Sequence, residues 1–171
     1  MRYVGLDLST KTGLVILDES GQVIKAEEIT TKEKNDPQRM IILTEKIMSH
    51  LKDDDVIAIE GFSYGSRGRG ISFQFGYGYA VRIALFTANK PFLIVTPSQV
   101  KKYATGKGNS SKDNMILPIF KKWGFEHDSD NVRDAYVLAK IAFDLKADKE
   151  IELKKYESEI LRDLRKDGVV K

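Results

Sequence analysis

Two apolar runs in this chain each close on a carboxylate, and that pattern limits the possible folds more than any other feature. The first is Arg2-Tyr-Val-Gly-Leu-Asp7, followed by the small polar residues and glycine turn of Leu8-Ser-Thr-Lys-Thr-Gly13. The second, Val56-Ile-Ala-Ile-Glu60, is unbroken, as a strand covered on both faces requires. A third acidic segment, Asp130-Asn-Val-Arg-Asp134, opens an apolar helical stretch. Strand-end acids are costly to hold together unless positive charge sits between them. Hard divalent cations with oxygen ligands are the usual solution. Three separated acids of this kind therefore point to a magnesium site, with manganese able to substitute, and to phosphoryl or phosphodiester chemistry.

Composition narrows the chemistry further. The chain of 171 residues has the length of one domain with a sizeable core. It has no cysteine, which excludes disulfides, zinc thiolates and thiol nucleophiles. With His50 and His127 as the two histidines, a multi-histidine metal site is not expected. No apolar run has the roughly 18 residues of a membrane span, and the start of the chain has no signal-peptide pattern. A cytoplasmic location and no membrane partner are the default expectations. A net charge of +3, from 28 basic and 25 acidic residues, is too small to argue for a polyanion by itself. The local distribution of charge carries more information.

The pattern of elements is strand, turn, strand, turn, strand over residues 3–8, 12–17 and 22–29. Asp18-Glu-Ser-Gly21 forms the second turn. Asp36 and Pro37 give a helix start, with Asp36 as the cap, and Asp53-Asp-Asp55 ends that helix. A strand over 56–59, a helix over 71–88 and a strand over 92–95 follow. Thr96 caps a short helix over 97–103. The loop Thr105-Gly-Lys-Gly-Asn-Ser-Ser111 leads to helices over 112–123 and 130–145. Pro118 threatens the first of these with a kink. A charged tail is helical by composition over 149–166. These elements specify an α/β fold with a mixed five-stranded sheet, three antiparallel strands then two parallel ones, flanked by helices. Residues 1–171 form one domain, and 146–171 are its helical C-terminal extension. In such sheets catalytic groups collect at strand ends and the adjoining helix starts, where Asp7, Glu60 and Asp134 stand.

This ordered set of elements and acids resembles the ribonuclease H-like superfamily. Within it, the chain is similar to Holliday-junction resolvases of the RuvC type, especially their phage-encoded relatives. Gly5-Leu-Asp7-Leu-Ser-Thr resembles the family's first-strand motif, and Ile59-Glu60 its second acid. Asp130-Asn-Val-Arg-Asp134-Ala-Tyr resembles its final helix, and Thr105-Gly-Lys107-Gly-Asn-Ser-Ser-Lys112 its basic loop. The likeness covers residues 2–145. It implies a magnesium-dependent, dimeric endonuclease that resolves four-way DNA junctions by paired nicks, with Asp7, Glu60, Asp130 and Asp134 as metal ligands. One position departs from the family pattern. Its penultimate ligand often falls where Asn131 stands, whereas Asp130 is one residue earlier. Both share a helical face with Asp134. Asp130 is preferred because a carboxylate binds magnesium better than an amide, with Asn131 the alternative and Asp128 a substitute on the preceding loop.

Several residues next to these motifs are candidates for DNA contact. Glycines around Lys107 suit a loop that approaches phosphate, and Lys107 or Lys112 is also expected to act in catalysis by neutralising developing phosphate charge. Lys112 at a helix start opposes the helix dipole, which disfavours it there for stability alone. Arg67 and Arg69 follow Glu60 among glycines. Phe62 and Tyr64 either fold back onto the core or stack on an unpaired base, and the resemblance favours stacking for Phe62. Gly76 and Gly78 each cost about 1 kcal/mol inside a helix relative to alanine. They imply close packing there, for which a second copy of the 71–88 helix in a homodimer is the candidate. The rival functions are a nuclease of the same fold acting on other branched DNA, single-stranded DNA or RNA–DNA hybrids, and a catalytically dead DNA-binding module. The opening motif also resembles the phosphate-binding turn of actin-like ATPases, which need a second domain that 171 residues do not provide.

Overall fold

The computed structural model describes residues 1–63, 70–147 and 153–170. A five-stranded sheet is built from β1 (Arg2–Asp7), β2 (Thr12–Leu17), β3 (Val23–Ile29), β4 (Asp55–Glu60) and β5 (Phe92–Val95). Its order is β3-β2-β1-β4-β5, with β1–β2 and β2–β3 antiparallel and β1–β4 and β4–β5 parallel. This is the mixed sheet that the sequence specifies. Among the described residues, no helix is long and apolar enough to cross a membrane.

Helices cover both faces of the sheet. Those described are α1 (Gln38–His50), α2 (Ile71–Thr87), α3 (Pro97–Thr105), α4 (Asp113–Trp123), α5 (Asp130–Lys146) and α6 (Lys155–Asp167). Alternation along the strands divides the core in two. Val4, Leu6, Ile57 and Ile59 pack with Leu43, Ile47, Tyr77, Val81 and Leu85 from α1 and α2. Tyr3 and Ala58 pack on the other face with Val132, Ala135, Leu138, Ala139 and Ala142 of α5. Asp7 and Glu60 share the parity of Tyr3 and Ala58, so both acids belong to the α5 face. The parallel register brings their strand ends together, because Gly5 pairs with Ala58 and Leu6 with Ile59.

Two glycines set the depth at which α5 lies. A Cβ on Gly5 would fall 1.9 Å from the Ala135 carbonyl oxygen and 2.6 Å from the Ala139 nitrogen. A Cβ on Gly13 would fall 2.0 Å from the Asn131 carbonyl oxygen. These neighbours are helix backbone and cannot rotate aside, so a side chain at either position would lift α5 off the sheet. The helix is buried on nearly every side, including Arg133, Asp134 and Asp144.

Local chemistry explains most element boundaries. The Asp18 carboxylate accepts from the N–H groups of Ser20 and Gln22 at 2.8 and 2.9 Å, and Gly21 takes φ 81° to close the hairpin. Thr96 and Gln99 form a reciprocal capping box at α3, and Gly106 ends that helix at φ 84°. Pro118 stands inside α4 without ending it. Three expectations need correction. Asp36 does not cap α1, because its carboxylate binds Arg39 at 2.8 Å. The tail helix begins at Lys155, later than expected, and residues 148–152 lie outside the described residues. Gly76 and Gly78 do not need a second copy of the helix to explain them. Their nearest neighbours are Met40 and Phe62 of the same chain, at 3.0 and 2.4 Å from the Cβ positions.

The C-terminal helix is docked by charge as well as apolar contact. Glu157 is 2% exposed and meets Lys122 of α4 at 2.6 Å. Ile160, Leu161 and Leu164 join the core. Beyond α6, Val170 forms an antiparallel bridge with Phe92 at the edge of β5.

Candidate active site

Asp7, Glu60 and Asp134 come from three elements that meet at one end of the sheet. Asp7 ends β1, Glu60 ends β4, and Asp134 lies one turn into α5. Asp7 is 6% exposed and Asp134 7%. Burial pushes all three carboxyls upward, because it penalises the charged form. Asp134 is raised to about 6 and Glu60 to about 7, the latter also by the charge of Asp134. Asp7 is raised well above the ordinary range, first by burial and then by the charges of Glu60 and Asp134. A hydrogen bond joins Asp7 and Glu60 and moves them in opposite directions, Asp7 upward and Glu60 downward. Three acids that raise one another in this way have little positive charge between them.

Two lysines supply part of it. Lys112, at the N-terminus of α4, makes a charge-assisted hydrogen bond to Asp130. Desolvation works against its ammonium group. The hydrogen bond and charge of Asp130, with Asp134 and Asp7 behind it, nevertheless hold Lys112 above its ordinary value. Asp130 is correspondingly held low, chiefly by its bond to Lys112. Lys101 on α3 also lowers Glu60 and Asp134 through its charge. Lys101 belongs to none of the sequence motifs. The available signal was the Thr96-Pro97-Ser-Gln99 helix start directly after β5, whose Val95 pairs with Glu60. One turn into that helix, a lysine is carried back toward the strand ends.

The surroundings of the acidic helix start are fixed by hydrogen bonds. Ser129, and not Asp130, is the N-cap of α5, accepting from the Val132 N–H at 3.3 Å. The Ser129 hydroxyl also meets Glu28 of β3 at 2.5 Å. Arg133 donates to the carbonyls of His127 and Asp128 at 2.6 and 3.1 Å, which ties down the preceding loop. Asn131 donates its amide to the Lys11 carbonyl at 2.8 Å and so pins the β1–β2 turn. Asp130 therefore leans toward Lys112 and the acids, while Asn131 is committed to the turn. Asp128 is exposed on the loop.

The remaining predicted residues divide into three groups. Lys107 is exposed, and its main chain is tied to the Thr105 and Ser110 hydroxyls. Phe62 lies against α2 and is half-buried. Its ring packs against Phe75 and Tyr79 of α2, with centroids 4.5 and 5.3 Å away, beneath the Arg82 guanidinium at 3.9 Å. Tyr64, Arg67 and Arg69 lie outside the described residues.

The donor set fits a hard divalent cation, being all carboxylate oxygen from well-anchored backbone with a deficit of positive charge. As the side chains stand, no group of three or more acid or imidazole side chains among the described residues is arranged to hold one ion. The Asp7–Glu60 hydrogen bond relieves part of the repulsion in this arrangement.

No protein-family model matches this chain, and no curated protein does. Solved structures do. Thermus thermophilus RuvC in complex with a Holliday junction substrate superposes with TM-score 0.66 and 21% identity, covering 81% of this chain and 90% of that one. Thermus thermophilus RuvC alone gives TM-score 0.66 and 21% identity, covering 84% of this chain and 94% of that one. At this identity the likeness is one of fold, and the fold is the ribonuclease H-like fold of the RuvC structures.

The raised acids give the metal-free protein a pH signature. Glu60 and Asp134 bind protons more tightly folded than unfolded, so the folded state holds more protons between the unfolded and folded values. Stability from these groups is fully present below about pH 4 and is lost as pH rises through about 6 and 7. Thermal unfolding of the metal-free protein should show this loss, and Asp134→Asn should flatten it. Magnesium should raise the melting temperature more near pH 8 than near pH 5, because it competes with protons for the same oxygens. An equal magnesium effect at both values would contradict this assignment.

Proposed function

We propose that this protein is a metal-dependent endonuclease that resolves four-way DNA junctions by paired nicks. The observation that carries the reading is the meeting of Asp7, Glu60 and Asp134 at one end of the sheet, where β1, β4 and α5 converge beside Lys112. The RuvC fold supports it, since one of the matching structures is a RuvC bound to a Holliday junction substrate.

Asp7 is the central ligand in this reading, between Glu60 on one side and Asp134 on the other. Asp130 completes the set, and its bond to Lys112 holds it ready. Held by Asp7, Glu60, Asp130 and Asp134, a pair of magnesium ions would supply charge neutralisation at the scissile phosphate and activation of water. The protein's own groups do the rest. Lys112 and Lys101 offset negative charge that grows on the phosphate in the transition state. Lys107, exposed on its glycine-flanked loop, contacts the DNA backbone. Arg67, Arg69 and Tyr64 are further DNA contacts in this proposal. Burial of the acids keeps bulk water from screening them.

A dimer places two such sites against opposed strands of one junction. Tyr79, Ile83 and Phe86 support α2 as the contact face. They are 54%, 62% and 57% exposed and recur at helical spacing on one side of α2. Two copies of that stripe form a self-complementary apolar seam.

The test is cleavage of a synthetic four-way junction in magnesium, beside linear duplex, flap, single-stranded and RNA–DNA hybrid controls. Asp7→Asn, Glu60→Gln and Asp134→Asn should each lower the cleavage rate by at least about a hundredfold while leaving junction affinity nearly unchanged. Full activity of any one variant removes that residue from the ligand set. Cleavage confined to flaps or hybrids would assign the fold to another nucleic-acid substrate.

The dimer is tested separately by light scattering. Ile83→Asp should turn a dimer into a folded monomer, because it buries a charge in the proposed seam. A wild-type protein that is monomeric at micromolar concentration, with and without junction DNA, would exclude the paired-nick mechanism.

A further inference from the structure

Glu60 is the last residue of β4, and the backbone beyond it is gripped from two sides. The Gly61 N–H donates to the Val95 carbonyl at 2.7 Å, which carries the β4–β5 pairing one step past the strand. A Cβ on Gly61 would lie 3.3 Å from Ile94 Cγ2 and 3.4 Å from the Val95 oxygen, so β5 fills that side. The next residue, Phe62, turns the other way and seats its ring on α2.

The seat is shaped for that ring. A Cβ on Gly78 would fall 2.4 Å from Phe62 Cε1 and 2.9 Å from Cζ, closer than a side-chain carbon can approach. Phe75 and Tyr79 flank the ring, and the Arg82 guanidinium covers its face. A glycine inside a 17-residue helix costs about 1 kcal/mol in helix propensity, and the notch it opens is what Phe62 occupies. Leu8, Glu60, Gly61, Phe62, Gln74 and Gly78 line one narrow cleft, so Glu60 and the seat of the ring lie at the same end of the sheet.

We infer that Phe62, seated in the Gly78 notch of α2, is a positioning residue for the Glu60 carboxylate and fixes where Glu60 meets a cation shared with Asp7 and Asp134. The inference rests on the reading of those acids as a cation site. Gly61 has no side chain to restrain the backbone between Glu60 and Phe62. The Val95 hydrogen bond on one side and the Phe62 ring on the other therefore set the direction in which the end of β4 points. Tyr79 packs on the same ring and is exposed on the outer face of α2.

Calorimetric titration of manganese into the intact protein tests this, beside thermal unfolding of each variant without metal. Gly78→Ala and Phe62→Ala should each weaken manganese binding roughly tenfold, the scale of losses when a residue that orients a metal ligand is removed. The double variant should bind no more weakly than the worse single variant, because both changes break one seat. Phe62→Leu combined with Gly78→Ala matches a smaller side chain to a smaller notch and should recover most of the lost affinity. Wild-type manganese binding by Gly78→Ala would overturn the inference, and so would losses that multiply in the double variant. Affinity losses that merely follow the drop in metal-free melting temperature would also overturn it, leaving the ring a structural role alone. The readout is ion binding, so a wild-type protein that binds manganese but leaves four-way junctions intact would defeat the nuclease reading and not this one.

Discussion

The close approach of α5 to the sheet is the contact on which the rest of the structure depends. Helix backbone lies where the Cβ atoms of Gly5 and Gly13 would be. At that depth Asp134 reaches the end of β1, and the three acids form one electrostatic unit. The same approach lets Asn131 bond the Lys11 carbonyl and hold the β1–β2 turn that follows Asp7. A side chain at either glycine would displace the helix and separate Asp134 from Asp7, even with every acid still present. The site is therefore a property of packing as much as of its carboxylates.

Charge is the second constraint. Burial raises Asp7, Glu60 and Asp134, and Lys112 and Lys101 offset only part of their mutual repulsion. A surface cluster would be solvated and would show little of this. Here the cluster remains because strands and a buried helix hold it, so the fold carries a local instability that a cation or protons relieve. Arg133 and Ser129, through their bonds to the 127–128 carbonyls and to Glu28, keep the start of α5 from relaxing away.

Strand ends and their acids were legible in the sequence because period-two alternation and unbroken apolar runs are local signals. β2 and β5 run over the expected residues, and the parity of residues 3, 5 and 7 and of 56, 58 and 60 places both acids on the α5 face. The capping box at Thr96 is equally local. Lys101 was not legible, since its relation to Glu60 depends on how α3 packs back over the sheet. Gly76 and Gly78 signalled close packing correctly but not its partner. A helix glycine marks a near neighbour without saying whether that neighbour is another chain or, as with Met40 and Phe62, the same one. Asp130 and Asn131 could not be separated by spacing, because both share a face with Asp134. The contact that distinguishes their surroundings, from Asn131 to the Lys11 carbonyl, spans 120 positions in sequence.

Anomalous diffraction from crystals grown with manganese would test the central claim most directly, since it locates ions without reference to activity. The account predicts manganese density at the end of the sheet, within roughly 2.0–2.6 Å of carboxylate oxygens from Asp7, Glu60 and Asp134. Manganese bound elsewhere, with the Asp7–Glu60 hydrogen bond intact and the three acids without an ion at saturating metal, would contradict it.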